Sequence, residues 1–134
     1  MMKQLSIYAE NRKGTMQKIT QILEDQHVNI LGSVTNDSAE YGIIRMVVSD
    51  VDTAVSALRE NGFICRTTDV LGVEIQDHPG ALNHLLKALL DSNISVNYLY
   101  LSFVRESGMP IMVLHTEEIM EVEECLKSKG FVLL

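Results

Sequence analysis

The feature that most constrains this chain is an internal repeat, because a repeated pattern fixes the size and order of the folding unit before any element is assigned. Asn11-Arg12-Lys13-Gly14-Thr15-Met16 aligns with Asp77-His78-Pro79-Gly80-Ala81-Leu82 at an offset of 66 residues. The same offset pairs Ile19 with Leu85, Leu23 with Leu89, Val28 with Ile94, Ile30 with Val96, Gly42 with Gly108 and Val47 with Val113. A two-residue insertion in the second copy then brings Leu58, Arg59, Gly62 and Phe63 onto Leu126, Lys127, Gly130 and Phe131. The 134 residues therefore divide into copies at 1–67 and 68–134. Units of about 65 residues bury little surface alone and gain from packing together. Thr67-Thr68-Asp69 is the only polar break between them, so tight packing is expected.

Each copy reads as β-α-β-β-α-β. Leu5, Ile7 and Ala9 alternate with Ser6 and Tyr8, the period of a strand. After a turn at residues 11–14, Met16, Ile19, Ile22 and Leu23 recur at helical spacing. Val28 to Thr35 and Tyr41 to Val48 read as strands around an Asn36-Asp37-Ser38 turn. Asp50 suits the N-cap of a helix carrying Val51, Ala54, Val55 and Leu58 on one face, and Gly62 suits the position past its end. Phe63 to Thr67 is the fourth strand. In the second copy the strands are Leu71 to Ile75, Ile94 to Val104, Met109 to His115 and Phe131 to Leu134. Its helices carry Leu82, Leu85, Leu86 and Leu89, then Ile119, Val122 and Leu126. The fold class is α+β: two ferredoxin-like units side by side, with antiparallel sheets and helices on one face.

Tyr98 and Tyr100 occupy one face of their strand, and Leu99, Leu101 and Phe103 the other. Met46, Val47 and Val48 are apolar in succession. A sheet covered on one side only alternates apolar with polar. Apolar residues on both faces call for a second cover, and the sheet of another subunit is the simplest, which makes a homodimer the expectation.

The balance of 18 acidic against 11 basic residues, a net charge of −7, argues against a nucleic-acid phosphate track. No apolar run reaches the roughly 18 residues of a membrane span, and Met1 to Leu5 opens on a strand rather than a signal peptide. Cys65 and Cys125 lack metal or redox spacing and read as reduced thiols, in or near the core, of a cytoplasmic protein. His27, His78, His84 and His115 do not pair at ligand spacing. No Gly-rich phosphate loop occurs, so no metal or cofactor is called for. The run Glu117, Glu118, Glu121, Glu123, Glu124 reads as the solvated face of a helix.

The two strand-to-helix turns carry the chemistry. At Asp77 to Leu82, Pro79 suits the approach to a helix and Gly80 lets a ligand come close to the backbone. Free N–H groups and the helix dipole there favour an anion such as a carboxylate. Asp77 offers a partner for an ammonium, so the two charges of a free amino acid would both be met. The alternative is a plain tight turn with Asp77 as the helix cap.

These segments resemble the tandem ACT domains of amino-acid metabolism. The family pattern is a strand, D-R-P-G-x-L or a variant, a helix, then x-N-I opening the second strand. Asp77-His78-Pro79-Gly80-Ala81-Leu82 with Asn93-Ile94 fits it, as do Glu10-Asn11-Arg12-Lys13-Gly14 and Val28-Asn29-Ile30. The first copy is similar to the serine-sensing ACT domain of phosphoglycerate dehydrogenase, although Ala9 stands where that sensor has a ligand-binding His and Lys13 replaces the loop proline. The resemblance implies a ligand held between a loop and the second-strand start of a neighbouring unit. Two unequal sites follow. One joins Asp77, His78, Pro79, Gly80, Ala81 and Leu82 with Asn29, Ile30 and Leu31. The other joins Asn11, Arg12, Lys13, Gly14, Thr15 and Met16 with Ser95, Val96 and Asn97, where Ser95 stands in place of Asn29. The first is favoured because its loop pattern is complete.

The resulting expectation is a stand-alone, non-catalytic regulator that binds a free amino acid and signals to an enzyme or transporter the sequence does not name. The rival class is a ligand-free oligomerisation module. A third, an acylphosphatase-like hydrolase on the same fold, lacks any nucleophile or base constellation.

Overall fold

The computed structural model describes residues 1–10, 12–35, 41–103 and 108–134, with Tyr41 described by its backbone alone. Asn11, the turn Asn36-Asp37-Ser38 and Val104 lie outside the described residues. The described chain forms two compact units, one of residues 3–68 and the other of residues 1–2 with 69–134.

The first unit runs β1 (Met2–Glu10), α1 (Thr15–Asp25), β2 (Ile30–Thr35), β3 (Tyr41–Val48), α2 (Val51–Glu60) and the opening of β4 (Ile64–Glu74). Its strand order is β1-β3-β2, antiparallel throughout. Leu5 faces Met46 and Ile7 faces Ile44 across β1 and β3, so these side chains share one face of the pleat. That face meets Ile19, Ile22 and Leu23 of α1 and Ala54, Ala57 and Leu58 of α2 in one core, joined by Cys65 from β4. The helical spacing of those residues is what turns them all inward. Asp50 caps α2 as expected, accepting from Thr53 N–H at 3.1 Å and Thr53 Oγ1 at 2.7 Å. Leu31 sits at a bulge, where the β2–β3 register shifts between Ile30 and Gly32.

The second unit contains the rest of β4, then α3 (Ala81–Asp91), β5 (Tyr98–Phe103), β6 (Pro110–His115) and α4 (Ile119–Ser128). Its strand order is β5-β6-β4, again antiparallel. Leu71, Val73, Met112 and Leu114 meet Leu85 and Leu89 of α3 and Val122 and Leu126 of α4 in a second core. Met1 and Met2 belong to this unit, and Met2 Sδ packs into the space that a side chain at position 72 would take.

The structure corrects four expectations. The strands placed on either side of Thr67-Thr68-Asp69 are one strand, Ile64–Glu74. The polar trio does not break it, because Thr is a good strand residue and the backbone pairs whatever the side chains are. The closing strand at Phe131 to Leu134 shrinks to a bridge between Leu133 and Val73, flanked by Glu74 N–H to Val132 O and Leu134 N–H to Gly72 O, each 2.9 Å. β5 opens at Tyr98 rather than at Ile94. Finally, Leu5 pairs with Met46 while Leu71, its repeat partner, pairs with Leu114. The third strands are therefore related by 68 residues, not 66. Val47 corresponds to His115, and the two-residue insertion precedes β6.

The buried second face also changes one argument. Val47 (4% exposed) and Val70, Ile111 and Val113 (0%) stand outside both helix-covered cores, yet are buried in the single chain.

Candidate functional site

Both strand-to-helix turns have the same backbone. Gly14 has φ 89° and ψ −6°; Gly80 has φ 91° and ψ −7°. Each is the N-cap of its helix in the left-handed region, which an L side chain enters only at a cost. Neither brings a capping side chain, and the expected alternative of Asp77 as the N-cap residue is not what the structure shows. In the second turn the Ala81 N–H donates to His78 O at 3.2 Å and the His84 N–H to Gly80 O at 2.9 Å. The N–H groups of Leu82 and Asn83 are the first-turn donors left for a ligand. The first turn is built alike, with Thr15 N–H to Arg12 O and Lys18 N–H to Gly14 O. Arg12 is paired with Glu10, and Lys13 is exposed.

What stands beside the two turns differs. A cleft of about 390 Å³ lies against the second, lined by Glu74, His78, Ala81, His84, Lys129 and Phe131 among others. The His84 ring packs on Phe131 with centroids 5.3 Å apart, and His78 Nδ1 lies 2.9 Å from Pro79 O. The hollow beside the first turn, between Arg12, Thr15, Met16 and Gly42, holds only about 90 Å³. Small-molecule sites start at roughly 300 Å³, so among the described residues it is the second turn that has room for a ligand in its own unit. Asp77, Pro79 and Leu82 are exposed and outside the residues lining this cleft. Glu74, His84, Lys129 and Phe131 were not expected here. Only folding brings the end of β4 and the turn after α4 to the head of α3, so no local spacing announces them.

The second-strand starts lie elsewhere. Asn29 is exposed, and its backbone exchanges two 2.9 Å bonds with Ser49, through Ser49 Oγ and Ser49 N–H. Ile30 and Val96 pack partly buried against their cores. Ser95 is exposed. Asn97 Nδ2 lies 3.0 Å from His115 Nδ1, and Tyr98 stacks on the same imidazole at 5.0 Å. Within one unit the turn and the second-strand start occupy opposite ends of an 11-residue helix, about 16 Å long. A unit's own strand start therefore cannot complete its own turn.

Among the described residues no group of three or more His, Cys, Asp or Glu could hold a metal ion, and no helix is long and apolar enough to cross a membrane. Both cysteines are free thiols. Burial pushes the Cys65 thiol above its ordinary pKa, partly offset by Arg59.

A family model described as an ACT domain pair matches residues 1–132. The chain belongs to this family. The ACT pair is also 32% identical to protein BT0572 from Bacteroides thetaiotaomicron, with a TM-score of 0.89 over 99% of this chain and 91% of that one. The regulatory subunit of aspartate kinase from Thermus thermophilus has the same fold at 11% identity, TM-score 0.65, over 96% of this chain and 92% of that one. Its counterpart from Thermus flavus matches at 14% identity, TM-score 0.62, over 92% and 86%. No curated protein matches the ACT pair in sequence. The chain is thus a tandem ACT-domain protein.

Proposed function

We propose that this ACT pair binds a free amino acid at the second turn and transmits its occupancy to a metabolic partner. The observation that carries the reading is the 390 Å³ cleft against the Gly80 turn, beside a hollow of 90 Å³ at its repeat partner. The carboxylate is received by the open N–H groups at the head of α3. The ammonium goes to Glu74, the carboxylate among the residues lining the cleft, and Asp77, the carboxylate of the turn motif, stands outside that lining. Asn29, Ile30 and Leu31 are the proposed complement to the turn from another ACT unit. Arg12 to Met16 with Ser95, Val96 and Asn97 form the weaker, second site. Chains of like fold serve as regulatory subunits in Thermus, which supports a regulator separate from whatever it controls. Ligand occupancy would act by linkage, favouring one conformation that the partner reads.

The homodimer also stays a proposal. Its support is now Leu101 (59% exposed) and Phe103 (78%), large apolar side chains on β5 that the single chain leaves in water. Sedimentation velocity reads it directly, and a monomer at tens of micromolar overturns it.

The deciding experiment is a thermal-shift panel of the twenty amino acids. A ligand at about 100 times its Kd adds roughly 2.7 kcal/mol, which is several degrees here. One clear hit, weakened by Glu74→Gln, supports the sensor in this cleft, and a further loss with Asp77→Ala would bring Asp77 into the site. No shift with any of the twenty favours a ligand-free oligomerisation module.

A further inference from the structure

The two copies supply their own comparison at a second cleft, where the helix after the third strand begins. The observed register relates Val48 to Thr116 and Ala57 to Cys125, and the first-helix offset relates Gln26 to Ser92. In the first copy Val48 and Ala57 are ordinary members of the core. In the second copy the same places carry a hydroxyl and a thiol. Thr116 is 3% exposed, and its Oγ1 is buried with no hydrogen-bond partner. A buried hydroxyl that replaces a methyl and bonds to nothing is a standing cost to the fold. The first copy shows that the fold does not require it.

Thr116 lines a cleft of about 400 Å³ within the second unit. Glu117, Glu118 and Glu121 give it three carboxylates, and no Lys, Arg or His is among its lining residues. Asp50 caps the matching helix, whereas Glu118 makes no side-chain cap bond. The carboxylates are not gathered into a group that could hold a metal ion. Ile94 and Val122 supply apolar wall. Three full negative charges outweigh the partial positive charge at the head of α4, roughly half a unit.

We propose that this cleft binds the alkylammonium group of a small amine or diamine that carries no carboxylate. The N–H groups donate to Thr116 Oγ1 and to Glu117 or Glu121, and the methylenes lie on Ile94 and Val122. A carboxylate on the same ligand would meet only like charge. The site shares Ser95 with the weaker amino-acid site and no residue with the cleft at Gly80, so the amine site and the Gly80 cleft can each fail alone.

The test is calorimetric titration of the full chain with 1,4-diaminobutane at low, matched ionic strength. The wild type is expected to bind. Thr116→Val, which installs the first copy's residue, is expected to fold, to melt higher than wild type and to bind about tenfold more weakly or worse. Tetramethylammonium, with the same charge and no N–H donor, is expected not to compete. A second readout locates the site: Cys125, in the cleft wall with Sγ 3.3 Å from Ser92 Oγ, is alkylated more slowly when diamine is bound. No heat at about 10 mM diamine, undiminished binding by Thr116→Val, or equal binding of the matched amino acid ornithine would each overturn the proposal.

Discussion

At the scale of single residues, backbone conformation carries the repeat further than side chains do. Positive φ recurs at matched places in the two copies: Gly14 (89°) with Gly80 (91°), His27 (56°) with Asn93 (57°), and Gly62 (84°) with Gly130 (89°). His27 ends its helix in a Schellman pattern, with Val28 N–H bonded to Leu23 O. A histidine there bears the left-handed cost that glycine escapes. His27→Gly is therefore expected to stabilise the chain by about 0.5–1 kcal/mol in urea unfolding. Gly80→Ala is expected to cost about 1–2 kcal/mol. Nothing lies within 4 Å of a Cβ at Gly14 or Gly80, so the cost is purely conformational and Gly14→Ala should match it. These positions were legible in the sequence because a turn glycine announces itself locally. Thr116 was not. The 66-residue offset, carried through the third strand, hid that Thr116 stands where Val48 does.

At the scale of elements, the caps and cores were legible and the strand limits were not. Asp50 held as the cap of α2 because a cap is a three-residue affair. Its bond from the Thr53 side chain, then from the Thr53 N–H, lowers the Asp50 pKa below the ordinary carboxylate value. The unfolded carboxyl titrates near pH ~3.9, so the stabilisation is whole above that pH. It is lost as the pH falls through the lower folded value. Asp50→Asn, which keeps an accepting cap, should match wild-type melting at pH 7 and show less of the acid-limb loss; Asp50→Ala should melt lower at pH 7. The full length of β4, Ile64–Glu74, is hidden in the sequence because the polar side chains at 67–69 say nothing of backbone pairing. The ladder depends on N–H and C=O groups, and Thr67 and Thr68 supply both.

At the scale of the molecule, the cleft beside Gly80 gathers residues from three stretches of chain, 74–84, 109 and 129–132, which no spacing rule can assemble in advance. Burial separates the two thiols as well. Cys65 is 3% exposed and its pKa is raised, whereas Cys125 is only partly buried. Titration with a thiol reagent at pH 8 should label Cys125 first and Cys65 only as the fold opens. Equal rates would mean that the first core is open in solution.

The division of the chain has one more consequence. The sequence repeats at residue 67, but the second unit includes Met2, whose sulfur fills the space above Gly72 beside Ile111. During synthesis Met2 must wait for Ile111, more than a hundred residues later, before its place exists. A ribosome that has released only the first copy has made Met2 without the unit it belongs to.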